Sequence, residues 1–216
     1  MTSEVPLRPR SIRPRDAASL VLVDDQGDEP RILMGRRHAR MAFVPDAFVF
    51  PGGKLDPDDF IARPATELPA AVNFGPKARA LAMAAIRETF EETALLLAAP
   101  GEVGAEAAQS WAHFRECGIA PRLDALSALA RAITPVGSPI RFHARFFTAS
   151  ASALEGTLAG SGELEDLDWY PLSEALKLPI IDVTEFVLHE VARRRNGGTD
   201  RVPLYSYRNG QPLRRP

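Results

Sequence analysis

Glu88, Glu91 and Glu92 are spaced so that a helix would gather three carboxylates within one turn. Each helical residue advances about 100°, so with Glu88 as origin Glu91 and Glu92 fall within about 60° on either side. Ile86, Phe90 and Leu97 point within about 20° of the opposite direction, with Met83 beside them. Like charges three and four residues apart repel by a few tenths of a kcal/mol per pair. Arg87, four residues before Glu91, can offset part of this. A hard divalent cation would offset more, because carboxylate oxygens are the ligands Mg²⁺ selects. Glu-rich helix faces are also often plain solvated faces. What lies upstream separates the two readings.

Upstream stands Phe50-Pro51-Gly52-Gly53-Lys54-Leu55-Asp56. The Pro-Gly-Gly run stops any strand, and glycines let backbone groups approach a metal or phosphate with no Cβ in the way. The chemistry these residues could perform together is the binding of a hard divalent cation by carboxylate oxygens beside an open stretch of backbone.

Such a site needs elements to position it. Ala17–Val23 is an apolar run ended by Asp24, Asp25, Gln26 and Gly27, so it reads as a buried strand entering a turn, with Arg31–Gly35 as its antiparallel partner. Residues 56–77 are loop-like, with four prolines. Ala78–Ala99 reads as the principal helix, rich in Ala, Leu, Met and Glu and stopped by Pro100-Gly101. Ala105–Cys117 and Leu123–Ala130 read as further helices. Ile140–Ala149 alternates as a strand, Leu164–Tyr170 follows as another, and a short helix lies near Ser173–Leu178. Asp182–Arg195 is a helix closed by Gly197-Gly198. This order predicts a mixed α/β layered domain.

The 216 residues suit one domain, 16–216, preceded by a loose basic leader at 1–15. With 45% hydrophobic residues the core needs no staples, and the single cysteine, Cys117, excludes a disulfide framework. A lone thiol and no apolar run near the roughly 18 residues of a membrane span point to a cytoplasmic protein without membrane partners. A net charge of −2 gives no electrostatic basis for binding nucleic acid.

The Pro-Gly-Gly turn and Arg87-Glu88-Thr89-Phe90-Glu91-Glu92 together resemble the signature of the Nudix hydrolases, G-x5-E-x7-R-E-U-x-E-E-x-G-U with U a bulky aliphatic residue. Gly53 matches the first glycine, and Asp59 stands where the family has Glu. About twenty extra residues (insertion at about 60–78) separate Asp59 from Arg87, Thr89 replaces the first U, and Ala94 replaces the second glycine. A branch of the family that includes a coenzyme A diphosphatase carries an insertion in this part of the box. The chain is similar to that branch at Phe43-Val44-Pro45, Ile133-Thr134-Pro135, Arg141-Phe142 and Phe146-Phe147, and to many Nudix domains at Trp169-Tyr170-Pro171-Leu172.

The resemblance implies an α/β/α sandwich with a mixed sheet and a small helical annex at about 102–130. It implies hydrolysis of a nucleoside diphosphate derivative with Mg²⁺ or Mn²⁺, held by Gly53, Glu88, Glu91 and Glu92. Arg87 would orient a glutamate. Glu88, Glu163 and Glu165 are candidates for the general base. Coenzyme A, an acyl-coenzyme A or another ADP-containing diphosphate is the expected substrate; a nucleotide sugar or dinucleoside polyphosphate is the alternative within the class. A ligand sensor without turnover is the alternative outside it, although a sensor would be expected to lose the glutamates. Family members are often dimers, so a homodimer is also implied.

Arg36, Arg37 and Arg40 lie where an arginine could grip phosphate or stack on a base; a solvated basic loop is the ordinary alternative. Arg141 and Arg145 share a strand face with His143 and could form a phosphate-facing surface, or pair with neighbouring acids. Trp169, Trp111 and Phe114 are expected to pack, and Cys117 to sit buried as a small hydrophobe. Ala94 should let the helix run on through Leu95-Leu96-Leu97.

Overall fold

The apolar run beginning at Ala17 is covered on both faces in the computed structural model, which describes residues 12–41, 43–107, 109–199 and 201–215. The chain forms β1 (Arg15–Asp24), β2 (Arg31–Arg37), β3 (Phe48–Val49), β4 (Gly52–Lys54), α1 (Asp58–Ile61) and α2 (Ala78–Thr93). Then come β5 (Ala98–Pro100), α3 (Ala112–Glu116), β6 (Ile119–Pro121), β7 (Ser127–Ile133) and β8 (Phe142–Ser150). The last elements are β9 (Leu164–Pro171), α4 (Leu172–Ala175), α5 (Asp182–Arg195), β10 (Leu204–Arg208) and β11 (Gln211–Arg215). The expected leader lies outside the described residues as far as residue 11, and β1 already begins at Arg15.

Ala18, Leu20 and Leu22 of β1 pack into one layer, with α2, and Val21 and Val23 into the other, with α5. A strand buried on both sides needs no alternation of polar and apolar residues. The mixed sheet runs β11-β10-β7-β8-β1-β2-β3, with β9 on β2 and β4 on β1. This is the expected α/β sandwich. On one side β1 has parallel β8; on the other it has antiparallel β4 at Ala17–Ser19 and antiparallel β2 at Val23–Asp24. The sheet therefore splits beside β1, and the Pro-Gly-Gly turn enters at the split, where the Leu20 N–H donates to the Pro51 carbonyl at 3.0 Å.

Three expected helices are shorter or absent. The long helix stops at Thr93, not Ala99, because Ala94 adopts a left-handed conformation, φ 59°, and its N–H caps onto the Phe90 carbonyl at 2.8 Å. Leu96 then exchanges two backbone bonds with Glu155, so a tertiary partner takes the peptide groups that the helix would have used. Residues 105–117 hold only a 3-10 turn at Gln109–Trp111 and the short α3. The segment 123–130 holds a 3-10 turn and most of β7. Its Leu and Ala content favours helix, but Leu129 and Ala130 are buried in the sheet between β8 and β10, and packing overrides a weak propensity.

The expected helical annex is thus largely loops, short turns and strands, β5 pairing with β6. Trp111 and Phe114 are fully buried in the α2-side core, and Trp169 is packed against it. Cys117 is exposed, not buried. The insertion packs on α2 through Ala62, Val72 and Phe74, which leaves α2 buried almost all round instead of on one face. No helix among the described residues is long and apolar enough to cross a membrane.

Candidate active site

The site forms where β4 crosses the C-terminal half of α2. Gly52 has φ +152°, and a Cβ on it would lie 2.5 Å from the Ala18 carbonyl oxygen, so only glycine fits. Its N–H donates to the Glu92 carboxylate at 2.9 Å. A Cβ on Gly53 would fall 2.3 Å from the Glu88 carboxyl carbon. The two glycines bring the backbone of β4 directly onto two of the three helix acids.

Arg87 binds the rest together. It is buried, and its guanidinium donates to both oxygens of Asp59 at 2.9 and 3.1 Å, to the Lys54 carbonyl at 3.1 Å, to Glu88 at 2.9 Å and to Glu91 at 3.1 Å. Asp59 comes from α1, is fully buried, and also accepts the Asp56 N–H at 2.8 Å. Of the residues expected at the site, Arg87 thus touches two glutamates, Glu88 and Glu91. The sequence reading did not anticipate the Lys54 carbonyl, and no side-chain signal could have supplied it.

Burial sets the acid chemistry. It pushes the Glu92 carboxyl up to about 8; Glu88 and Glu163 add repulsion, while the Gly52 N–H and Arg37 oppose it. Burial likewise raises Glu88 to about 7 against the pull of Arg87, and raises Glu91. The charged forms of these acids are under-compensated: Arg87 bonds Glu88 and Glu91 but is shared with Asp59, and Glu92 has only the Gly52 N–H.

Among the described residues no three Asp, Glu, His or Cys groups already form a set that could hold a metal ion. The donor chemistry nevertheless fits a hard divalent cation. Glu88 and Glu92 line one cleft with Gly53 and Glu163, offer only oxygen ligands, and are destabilised as anions by burial.

That cleft has a volume of ≈ 490 Å³ and runs from Glu88 and Glu92 to the start of α5. Arg37 lines it, with its Nε buried and unpartnered, and so does Glu163, exposed just before β9. Arg36 does not line it: it is held by Glu165 at 2.8 Å and Asp166 at 2.7 Å. Glu165 is therefore committed to Arg36, which leaves Glu163 as the acid of this segment nearest the site. Arg40 is exposed in the turn after β2 and lies outside the cleft.

Arg141 and Arg145 are also outside it. The cleft takes Phe142, Ala144 and Phe146, the opposite face of β8. Arg141 donates to the Thr134 and Ile12 carbonyls, and Arg145 to Asp16 at 2.5 Å and to the His143 carbonyl. The alternation separated the two faces correctly, but the apolar one fronts the site. The sequence reading missed Asp182, Tyr205 and Tyr207, which line the far end; alternating aromatics at 205 and 207 were the available signal.

Comparison with known proteins agrees with this fold. The NUDIX domain family model matches residues 13–188. A Nudix hydrolase from Alicyclobacillus acidocaldarius is 30% identical, with a TM-score of 0.66, over 83% of this chain and 92% of that one. The Nudix domain of Shewanella oneidensis NrtR, crystallised with ADP ribose, is 13% identical, with a TM-score of 0.50, over 88% and 94%. Acyl-coenzyme A diphosphatase NUDT19 of Gallus gallus is 35% identical over 98 residues, covering 32% of this chain and 26% of that relative's length. With the family pattern matched over most of the chain, and its arginine bonded to Glu88 and Glu91 beside the cleft that Glu88 and Glu92 line, this protein belongs to the Nudix hydrolase family.

Proposed function

We propose that the chain is a Mg²⁺- or Mn²⁺-dependent diphosphatase acting on a nucleoside diphosphate derivative, with coenzyme A or an acyl-coenzyme A as its substrate. One observation carries the metal-dependent part: Glu88 and Glu92, both raised by burial, open on the same cleft as Arg37 and Glu163. The avian relative named an acyl-coenzyme A diphosphatase supports the substrate, and the NrtR domain bound to ADP ribose supports an ADP-containing group.

In this reading Glu88, Glu91, Glu92 and the Gly53 backbone hold the cation. When bound, it supplies positive charge to the diphosphate oxygens and acidity to water. Arg87 holds Glu88 and Glu91 in place, and Arg37 grips a phosphate by charge-assisted hydrogen bonds. Glu163 takes the proton from the attacking water, because Glu88 is engaged by Arg87 and Glu165 by Arg36. Exposed Cys117 suits a reducing compartment such as the cytoplasm.

The test is product release from coenzyme A, acetyl-coenzyme A, NADH, ADP-ribose, a nucleotide sugar and a dinucleoside polyphosphate, each with Mg²⁺, Mn²⁺ or EDTA. Metal-dependent cleavage of the coenzyme A compounds above the others is expected. Preference for another compound would overturn the substrate, and turnover undiminished in EDTA would overturn the metal.

A further inference from the structure

The cleft changes character along its length. Its charged groups, Arg37, Lys54, Glu88, Glu92 and Glu163, belong to the end formed by β4 and α2. Beyond them the lining is largely hydrocarbon, with Phe43, Phe142, Phe146, Ile133 and Val183 among it and Thr134, Ser138 and Thr184 interspersed, and Phe43 meets Phe142 edge-on at 5.1 Å. At the far end stand Asp182, Tyr205 and Tyr207.

Those far polar groups are already committed to one another. Asp182 accepts the Val183 N–H at 2.8 Å on one oxygen and both tyrosine hydroxyls on the other, Tyr205 at 3.1 Å. The Thr134 hydroxyl is taken up by the Phe142 backbone. A nucleobase seated against Asp182, Tyr205 and Tyr207 would bury edge donors and acceptors beside groups that are occupied, at a cost of roughly 1–3 kcal/mol for each left unmade. A hydrocarbon chain carries no such cost.

The far wall of this stretch comes from β10, through Tyr205 and Tyr207; β10 and β11 form a hairpin past residue 188, where the family match ends. β10 extends the sheet by parallel pairing with β7, Tyr205 opposite Ala132, and Asp182 fastens it to the first turn of α5. Tyr205 is buried and stands edge-on to Tyr207, with ring centroids 5.5 Å apart.

We infer that the C-terminal hairpin is a specificity element of this hydrolase: with Tyr205, Tyr207 and the apolar face of β8 it forms a subsite for an aliphatic chain carried by the substrate beyond its diphosphate. The inference rests on the diphosphatase reading above. It distinguishes acylated from free coenzyme A within that reading, and makes the hairpin the part that does so.

The experiment is kcat/KM of the full chain, with Mg²⁺ or Mn²⁺, on free, acetyl-, hexanoyl- and decanoyl-coenzyme A. Values should climb with chain length by up to about fourfold per methylene until the cleft is filled. Tyr207→Ala opens the wall, and Ala144→Leu fills the floor without touching the hairpin. Each should lower the decanoyl-to-free ratio at least tenfold. A flat chain-length series with ready turnover of free coenzyme A would overturn the subsite and leave the diphosphatase standing. Turnover of none of the four would overturn the substrate reading, and the subsite with it. A preference that neither variant alters would overturn its location.

Discussion

Arg87 and Asp59 stand 28 positions apart in the chain, yet they share a buried ion pair with two bonds of 2.9 and 3.1 Å. The insertion between them does not break the site; it leaves α1 delivering Asp59 to the same guanidinium that holds Glu88 and Glu91. Arg87 is kept charged although burial opposes it, because Asp59 bonds to it. Removing one partner of a buried pair leaves the other charge uncompensated. Asp59→Ala should therefore destabilise the protein by about 3–5 kcal/mol, read as a lowered midpoint in urea unfolding. A cost below about 1 kcal/mol would mean that Glu88, Glu91 and the Lys54 carbonyl suffice for Arg87.

Adjacent glycines should fail in different ways. A methyl on Gly52 meets backbone, the Ala18 oxygen at 2.5 Å and the Ser19 Cα at 2.6 Å, at a φ that side chains avoid. Gly52→Ala should cost at least about 1–3 kcal/mol of stability. A methyl on Gly53 meets the mobile end of Glu88, so Gly53→Ala should fold and instead displace the carboxylate. A displacement on the order of 1 Å can lower turnover about 10²-fold. Thermal unfolding beside kcat separates the two, and equal behaviour of the variants would refute the distinction.

The metal should reveal itself in stability as well as rate. At 100 times its dissociation constant a bound cation stabilises the fold by about 2.7 kcal/mol. Mg²⁺ or Mn²⁺ should raise the unfolding temperature of the wild type, and Glu92→Gln should abolish that rise and cut turnover by orders of magnitude. Without metal the order reverses. Burial lifts the Glu92 pKa to about 8 in the fold, from an ordinary value of 4.5, so stability falls as pH rises from about 4.5 through 8. Gln cannot ionise, so metal-free Glu92→Gln should outlast wild type at pH 9 and lose that advantage near pH 5. An unaltered metal response in the variant would remove Glu92 from the ligand set.

Where local chemistry decides structure, the residues could be read directly. Pro51-Gly52-Gly53 stops a strand in any context, and the spacing of Arg87, Glu88, Glu91 and Glu92 fixes their neighbourhood on α2. What depended on distant partners could not be read. Thr93 ends α2 because Glu155 claims the next peptide groups, and the Ala-rich 127–133 segment is a strand because β8 and β10 flank it. The family pattern placed Asp59 in the box, but its pairing with Arg87 was not readable, because it depends on how the insertion folds back. Arg141 and Arg145 sit on the correct face of a correctly placed strand; nothing local says that the cleft opens on the other one.

The polar face of β8 also bears on acid stability. His143 sits opposite Asp16 on β1 and Ile133 on β7, with its Nε2 buried and unpartnered. Burial lowers its pKa to about 4, with repulsion from Arg145 and Arg131 outweighing the pull of Asp16. The imidazole stays neutral in the fold while the unfolded chain takes up a proton near pH 6.5. Below that value the unfolded state binds more protons, so the stability that His143 contributes is complete above about pH 6.5 and is lost as pH falls toward 4. His143→Gln, which does not titrate, should flatten this acid limb. The check is the unfolding temperature at half-unit steps between pH 4 and 7.5 for both proteins. Parallel curves across that window would mean that His143 does not set the acid limb.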